Sequence, residues 1–175
     1  MDMRVRGQVG ERAAVLVLSA AAMLAVVVSA WLLIARDPRA AGWAALVAGS
    51  CLVLGGTLLR SGDRRARVAL SFSDRAFDGC ILAALAWVTR TSSPAVAAGA
   101  LVALAAGFLA SYIRAKGGSL GYGIEEGVVT PILRYGLLSI ALIFGWTSWA
   151  IWVVAGVTAL AAVVRASQVA KEERA

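Results

Sequence analysis

Charged residues interrupt two of the six apolar segments of this chain, in places that a membrane-spanning helix would have to include. The uncharged runs Gly79 to Thr89 and Tyr135 to Gly145 have 11 residues each, whereas crossing the hydrocarbon core takes about 20 helical residues. Each helix is therefore expected to begin upstream, which places Asp74, Arg75 and Asp78 in one segment and Arg134 in another. An ionisable side chain at the bilayer centre costs roughly 2.5 to 3.5 kcal/mol, so it normally faces a wet cavity or a partner charge. The sequence therefore predicts a buried cluster of acidic and basic side chains.

The composition is that of an integral membrane protein. The chain is 61% hydrophobic and 15% charged, which excludes an ordinary soluble domain and a disordered chain. We expect an all-α, polytopic fold with a single domain over residues 1–175. The first apolar run has 23 uncharged residues, more than the apolar part of a signal peptide, which has about 7 to 15, so it is interpreted as a spanning helix. The six predicted transmembrane helices cover residues 13–35, 41–59, 73–89, 94–113, 128–145 and 148–164.

Basic residues predict the orientation. With both termini in the cytoplasm, 14 of the 17 lysines and arginines lie on the cytoplasmic side, and only Arg36, Arg39 and Arg90 lie outside, as the positive-inside rule requires. The six tryptophans then fall near the outer helix ends, where aromatic belts form. The net charge of +7 is accordingly attributed to orientation and to attraction for anionic lipids, not to nucleic-acid binding. We expect a multi-pass protein of the cell membrane, and its Ala, Val, Gly and Arg bias suggests a GC-rich bacterial genome.

The residue types restrict the possible chemistry. The chain has no histidine and only two cysteines, Cys51 and Cys80, which excludes the usual zinc sites and Ser/His or Cys/His catalysis. Any reaction would therefore take both its metal ligands and its base from carboxylates. The glycine-rich stretch from Gly117 to Gly123 is expected to form a loop flexible enough to act as a flap.

Asp74 and Asp78 are the acidic candidates. They are four residues apart, so on a helix they lie on one face about one turn from each other. The two carboxylates could share a divalent cation or line one pocket. The alternative is structural, with Ser71 or Ser73 capping the third helix and the aspartates in its positive first turns.

The basic candidates lie on the fourth and fifth helices. Ser111 and Arg114 are three residues apart and point the same way, with Lys116 just beyond them. Arg134 lies about seven residues into the fifth helix, roughly 10 Å of rise into the bilayer. Three cations converging near one interface suit a phosphate group. Alternatively, the first two extend to anionic lipid headgroups, whereas Arg134 needs a partner such as one of the aspartates.

Two other charged stretches have simpler interpretations. Residues 60–67 form an arginine-rich segment that is expected to be a solvated loop that sets the topology. Glu125 and Glu126 precede the fifth helix and are interpreted as partners of its N-terminal dipole.

Three motifs in chain order resemble those of the CDP-alcohol phosphatidyltransferases. The stretch Asp74 to Gly79 (DRAFDG) resembles the D-R-x-x-D-G that ends the family signature and opens the third helix. Ser111 to Lys116 (SYIRAK) is similar to the family's S-Y-x-[RK]-A-[RK] at the end of the fourth. Gly127 to Arg134 is similar to the G-x-x-x-R-x-E-R that enters the fifth. Six helices with both termini inside also fit, so the resemblance implies this fold for most of the chain.

The chain departs from the family at the catalytic signature. That signature is D-x-x-D-G-x-x-A-R followed by G-x-x-x-D-x-x-x-D, and its aspartates bind divalent ions that hold the CDP-linked pyrophosphate. Leu52 and Gly55 stand where the first two aspartates belong. In one register Asp74 is the fourth aspartate, proposed as the general base, and Leu70 replaces the third. In the other, Asp74 and Asp78 are the third and fourth.

The fifth-helix motif is also partial, since Pro131 and Leu133 replace its first arginine and its glutamate. One or two carboxylates on a single helix cannot form the family's metal bridge between two helices. If the protein is active, the resemblance implies a site with Mg²⁺ or Mn²⁺. Its catalytic residues and metal ligands would be Asp74 and Asp78, and its phosphate-binding residues would be Ser111, Arg114, Lys116 and Arg134.

Three functions are therefore considered. The first is a catalytically impaired relative of phospholipid-biosynthesis enzymes, with a cytoplasmic pocket for anionic headgroups that binds membrane lipids such as CDP-diacylglycerol. The family is commonly dimeric, and the small residues at 97–99 and 105–107 favour close helix packing, so a homodimer or pairing with an active relative is expected. The second is an active phosphotransferase that moves a phosphatidyl group from a CDP-lipid to an alcohol. The third is a small transporter, which would need polar residues beyond mid-membrane.

Overall fold

Six α-helices make up the part of the chain that the computed structural model describes, which is residues 2–59, 63–122 and 129–172, and no strand occurs in these ranges. The predicted all-α class is confirmed. The helices, numbered in chain order, are α1 (Asp2–Ile34), α2 (Pro38–Leu58), α3 (Arg64–Thr89), α4 (Pro94–Ser119), α5 (Val129–Phe144) and α6 (Thr147–Glu172).

Four of these helices are long and apolar enough to cross a membrane. They are α1 over Gly10–Ile34, α2, α4 and α6 over Thr147–Ala170. The other two are those in which charges shorten the apolar run. Helix α3 carries four arginines and both aspartates between Arg64 and Asp78, and α5 has 16 residues, of which Pro131–Phe144 form an apolar helix.

Helix α3 begins at Arg64, well before the predicted start at residue 73. Its N-cap is Asp63, whose side chain accepts hydrogen bonds from the backbone N–H groups of Arg65 and Ala66. The alternative in which Ser71 or Ser73 caps this helix is therefore wrong. The stretch from Arg64 to Arg67 is helical rather than a loop, because the N-cap carboxylate binds amides that would otherwise lack partners.

Ser73 has a different role inside the bundle. Its side chain is 2% exposed, and its hydroxyl lies within hydrogen-bonding distance of the carbonyl oxygens of Ala69 and of Ser19 on α1. It therefore links α3 to α1 and does not cap a helix.

The other helices also extend beyond the predicted apolar runs. Helix α4 continues to Ser119 and α6 to Glu172, because helical hydrogen bonds do not end where the apolar sequence does. Gly117 and Gly118 are helical, so the expected flap is wrong for this part of the glycine-rich stretch. The chain turns at Gly121, whose φ is 87°. Residues 123–128, which include the two glutamates before α5, lie outside the described residues.

The helices form a closed ring in the order α1, α2, α5, α6, α4, α3. Short connections join consecutive helices, so neighbours in the chain run in opposite directions. One end of the ring therefore gathers the starts of α3 and α5 and the ends of α2, α4 and α6. We call it the arginine-rich end, after the basic residues that lie there: Arg64, Arg65, Arg67, Arg75, Arg114, Arg134 and Arg165.

The tryptophans lie at the opposite end of the ring. All six are between 47% and 65% exposed. They are Trp31 near the end of α1, Trp43 near the start of α2, Trp87 near the end of α3, and Trp146, Trp149 and Trp152 around the start of α6. This distribution is typical of an aromatic belt at a membrane interface.

Glycines allow α2 and α5 to approach closely. A Cβ atom at Gly42 would lie 2.8 Å from both the backbone nitrogen of Ile143 and the carbonyl oxygen of Ser139. A Cβ atom at Gly49 would lie 2.7 Å from Cβ of Tyr135. Larger residues would push α5 outward, so these two glycines determine how closely α5 packs against α2.

Small residues of α4 pack within the chain. A Cβ atom at Gly99 would lie 3.0 Å from the Ile151 side chain of α6, and one at Gly107 would lie 3.6 Å from the Thr158 side chain. The stretch expected to favour close packing therefore contacts α6 of the same chain.

Candidate functional site

A cavity of about 730 Å³ lies at the arginine-rich end of the ring. Residues from α2 to α6 line it, and the lining divides into two kinds. The apolar side chains include Leu52, Val53, Leu59, Leu70, Pro131 and Ile132. The charged side chains are Arg67, Asp74, Arg75, Arg114, Arg134 and Arg165.

Two arginines hold the two aspartates of α3, and each arginine bridges both carboxylates. Arg134 Nη2 is 2.7 Å from Asp74 Oδ1, and its Nε is 2.9 Å from Asp78 Oδ1. Arg75 Nη1 is 3.1 Å from Asp78 Oδ2, and its Nη2 contacts Asp74 Oδ2. Each of the four carboxylate oxygens therefore faces a guanidinium group. We call these four residues the ion-pair cluster.

The contacts of Asp78 are charge pairs rather than aligned hydrogen bonds. Neither of its oxygens, nor Nε of Arg134, has a partner in hydrogen-bonding geometry among the described residues. The attraction that holds this carboxylate therefore comes mainly from charge at short distance.

The sequence spacing explains one half of the cluster. Asp74 and Asp78 share a face of α3, as predicted from their separation, and Arg75 reaches Asp78 three residues further along. Arg75 Nη1 also donates to the carbonyl oxygen of Gly107 at 3.0 Å. A Cβ atom at Gly107 would lie 3.5 Å from Asp78 Oδ2, so glycine gives α4 a close approach to the cluster.

The two aspartates differ in depth. The Asp74 side chain is 19% exposed and lines the cavity, whereas the Asp78 side chain is 2% exposed and lies behind it. The possibility that both carboxylates line one pocket is therefore wrong, because only Asp74 lines the cavity. A charge buried this deeply requires its partners, because removing one leaves an uncompensated charge in a poorly solvated interior.

Tyr135 is a further member of the site. Its hydroxyl contacts Asp74 Oδ1, and its ring packs edge-on against Phe77 with centroids 4.6 Å apart. The residue is 5% exposed. It therefore belongs to the interior and not to a membrane-interface belt.

The remaining arginines make the cavity positive. Arg67, Arg114 and Arg165 come from three different helices and line the same cavity. Arg165 Nη1 donates to the carbonyl oxygen of Ala110 at 3.2 Å, which links α6 to α4. Arg67 and Arg165 add two positive charges to those of the ion-pair cluster, which suits an anionic ligand.

The predicted site residues are partly brought together. Ser111, Arg114 and Arg134 line the cavity with Asp74, whereas Lys116 is exposed in the last turn of α4 and is not among the lining residues. Three site residues were not proposed from the sequence: Arg67, Tyr135 and Arg165. Arg165 directly follows the predicted sixth span, so it was counted only as a flanking charge. The sequence signal that could have indicated a shared basic site is a basic residue at the same end of three different helices.

The residues present do not fit the divalent ions that the family resemblance implies. Mg²⁺ takes about six oxygen ligands at 2.0 to 2.1 Å, but guanidinium groups already face all four oxygens of the aspartate pair. Leu52 and Leu70 present hydrocarbon to the cavity where the family has aspartates. Within the described residues, no group of three or more His, Cys, Asp or Glu side chains is placed to hold a metal ion.

Comparison with known proteins adds no family assignment. No protein-family model matches the chain, and no curated protein matches it significantly. The resemblance to the CDP-alcohol phosphatidyltransferases therefore rests on the three motifs alone.

Proposed function

We propose that this chain is a six-span membrane protein of the CDP-alcohol phosphatidyltransferase type that binds a phosphorylated lipid headgroup and is catalytically impaired. The observation that carries this proposal is the pairing of Asp74 and Asp78 with Arg75 and Arg134 in a cavity that keeps surplus positive charge. Carboxylates neutralised in this way attract a metal ion weakly, while the remaining arginines attract an anion.

The cavity has the two surfaces that a diacyl phospholipid requires. A guanidinium group can donate two parallel N–H hydrogen bonds to the oxygens of one phosphate, because its donors form a planar fork that an ammonium group lacks. Hydrocarbon from α2 and α5 lies beside them, including Leu52, Val53 and Ile132. Ile132 is 47% exposed, so the apolar lining reaches the outer surface of the ring, where acyl chains could enter from the bilayer.

The proposed topology has six spans in the cell membrane and both termini in the cytoplasm. The arginine-rich end would face the cytoplasm and the tryptophan end the exterior. Fusions of alkaline phosphatase test this arrangement, because the enzyme is active only outside the cytoplasm. A fusion after residue 172 should be inactive and one after Arg90 active. The opposite result would invert the topology.

An assay of CMP release tests the catalytic part of the proposal. Purified protein would be incubated with CDP-diacylglycerol, Mg²⁺ or Mn²⁺ and a panel of alcohol acceptors. We expect no CMP above the protein-free control. Metal-dependent release that Asp74→Asn abolishes would contradict the proposal and support an active phosphotransferase, in which Asp74 and Asp78 act as metal ligands or base.

Lipid binding is tested separately from turnover. Native mass spectrometry of the protein in nanodiscs should show enrichment of phosphatidic acid and CDP-diacylglycerol over phosphatidylcholine. Arg165→Gln should reduce this enrichment, while Arg64→Gln, at an exposed position outside the cavity, should leave it unchanged. An absence of enrichment in the unmodified protein would contradict the proposed pocket.

The proposed partner is a second copy or an active relative. A relative could supply the carboxylates that α2 lacks at Leu52 and Gly55. Light scattering of the detergent-solubilised protein should give the mass of two chains, and a single-chain mass would exclude the homodimer.

A further inference from the structure

We propose that the guanidinium groups of Arg75 and Arg134 replace divalent cations in this pocket, so that the pocket binds a phosphate-bearing anion without metal. The inference rests on the proposed function, since it concerns the same cavity, and it specifies how that cavity holds its ligand. The ligand class is a phosphomonoester or pyrophosphate anion, either on a lipid or free in solution.

The first support is that the two positive groups are built into the site. Arg134 is 6% exposed and contacts both aspartates, and Arg75 contacts both as well. Two guanidinium groups and two carboxylates form a neutral unit. A divalent ion approaching these carboxylates would meet two positive charges at ion-pair distance, which repel it.

The second support is the charge that remains when this unit is neutral. Arg67 of α3 and Arg165 of α6 approach the cavity from two helices. A phosphomonoester carries up to two negative charges and a pyrophosphate more, so either matches this surplus. Arginine is also the side chain whose planar donor fork fits phosphate oxygens best.

The third support is the part of the cavity lining that α2 contributes. Leu52 of α2 is 4% exposed and lines the cavity with Val53. No carboxylate from the described part of α2 faces the pocket. An anion bound there would therefore meet hydrocarbon rather than a repelling negative charge.

Calorimetric titration with metal removed and restored tests the inference. Short-chain phosphatidic acid and inorganic phosphate would each be titrated into the detergent-solubilised protein, once in EDTA and once in millimolar Mg²⁺. We expect phosphatidic acid to bind in EDTA with an affinity within about twofold of that in Mg²⁺, a free-energy difference near the limit of measurement. Tighter binding of phosphatidic acid than of inorganic phosphate assigns the site to a lipid, and equal binding assigns it to the free anion.

The outcomes separate this inference from the proposed function. Binding that strengthens about tenfold or more in Mg²⁺ would overturn metal independence and leave the lipid-binding proposal intact. An absence of binding by both ligands under both conditions would overturn the proposed function and this inference together.

Two further measurements, of Mn²⁺ binding and of phosphatidic acid binding by variants, keep the test independent of any single variant. Electron paramagnetic resonance should detect no Mn²⁺ bound to the unmodified protein at millimolar concentration, and bound Mn²⁺ would overturn the inference.

In EDTA, Arg165→Gln and Arg67→Gln should each weaken phosphatidic acid binding, by about tenfold for the first, whereas the matched control Arg64→Gln should have no effect. Arg67 is exposed, so its replacement leaves the packed interior unchanged. If both variants bind like the unmodified protein, the surplus arginines do not hold the anion and the inference fails.

Discussion

Arg134 and Asp74 are 60 residues apart in the chain, and Nη2 of the first lies 2.7 Å from Oδ1 of the second. Their helices, α5 and α3, are not neighbours in the ring, since α1 and α2 separate them on one side and α6 and α4 separate them on the other. The ion pairs therefore cross the interior and connect the shortest helix, with 16 residues, to the most highly charged one.

Removal of this link should destabilise the fold. Arg134→Ala would leave Asp78, which is 2% exposed, with Arg75 as its remaining ion-pair partner, and breaking a buried pair costs about 3 to 5 kcal/mol. Unfolding in detergent by denaturant would measure the loss. The control Arg64→Ala, at an exposed position on the same end, should change stability by less than about 0.5 kcal/mol. Equal stabilities of the two variants would show that the buried pair is unimportant.

The close contact between α2 and α5 predicts that one added methyl group at Gly42 destabilises the protein. Gly42→Ala would place Cβ 2.8 Å from two backbone atoms of α5, and backbone can yield only by moving the helix. We expect a loss of about 1 to 3 kcal/mol. Gly136→Ala provides the matched control on α5, because its Cβ would meet nothing within 4 Å, and better helix propensity should make it neutral or stabilising by up to about 1 kcal/mol. A neutral Gly42→Ala would exclude close packing at this position.

The backbone conformation at two helix ends predicts that introducing a glycine stabilises the protein at one and that replacing a glycine destabilises it at the other. Arg36 has φ 67° and Gly145 has φ 77°, the left-handed conformation that strains residues with a side chain. Arg36→Gly should therefore stabilise the protein by up to about 1 kcal/mol, and Gly145→Ala should destabilise it by about the same amount. Thermal unfolding of both variants would measure the two shifts, and shifts of the same sign would be inconsistent with these backbone conformations.

The start of α3 predicts a dependence on acidic pH. The backbone hydrogen bond from Ala66, together with that from Arg65 and the charge of Arg12, lowers the pKa of the Asp63 carboxyl below its usual 3.8, against a smaller opposing effect of desolvation. Between the lowered pKa and the usual 3.8, the unfolded chain binds more protons than the folded chain. The contribution of the Asp63 carboxylate to the free energy of unfolding is therefore complete above pH 3.8 and is lost as pH falls through the lowered pKa. Asp63→Asn keeps a capping side chain and should flatten the stability curve there. An unchanged slope would show that Asp63 does not titrate with folding.

The cluster of opposite charges could be predicted because its causes are local. The length of an apolar run and the four-residue spacing of Asp74 and Asp78 are read directly from the sequence, and both place charge where a membrane helix must pair it. The arrangement with Arg134 then follows from the cost of burying a lone charge. That Asp78 lies behind Asp74 could not be predicted, because it depends on how closely α4 approaches at Gly107.

The other site residues depend on the order of helices in the ring. Arg165 reaches the cavity because α6 packs beside α4, and Tyr135 turns inward because Gly49 admits α5. Neither relationship leaves a periodic signal in the sequence. The start of α3 was missed for another reason, since hydropathy marks the edge of the apolar region and the helix begins at the cap formed by Asp63.

The most direct measurement is a calorimetric titration of the detergent-solubilised protein with CDP-diacylglycerol, in EDTA and in Mg²⁺, with CMP quantified at the end of each. We predict binding of equal affinity in both buffers and no CMP, because the arginines already supply the positive charge and the aspartates are paired. Binding confined to Mg²⁺ and accompanied by CMP would contradict a pocket that holds its anion through arginine alone.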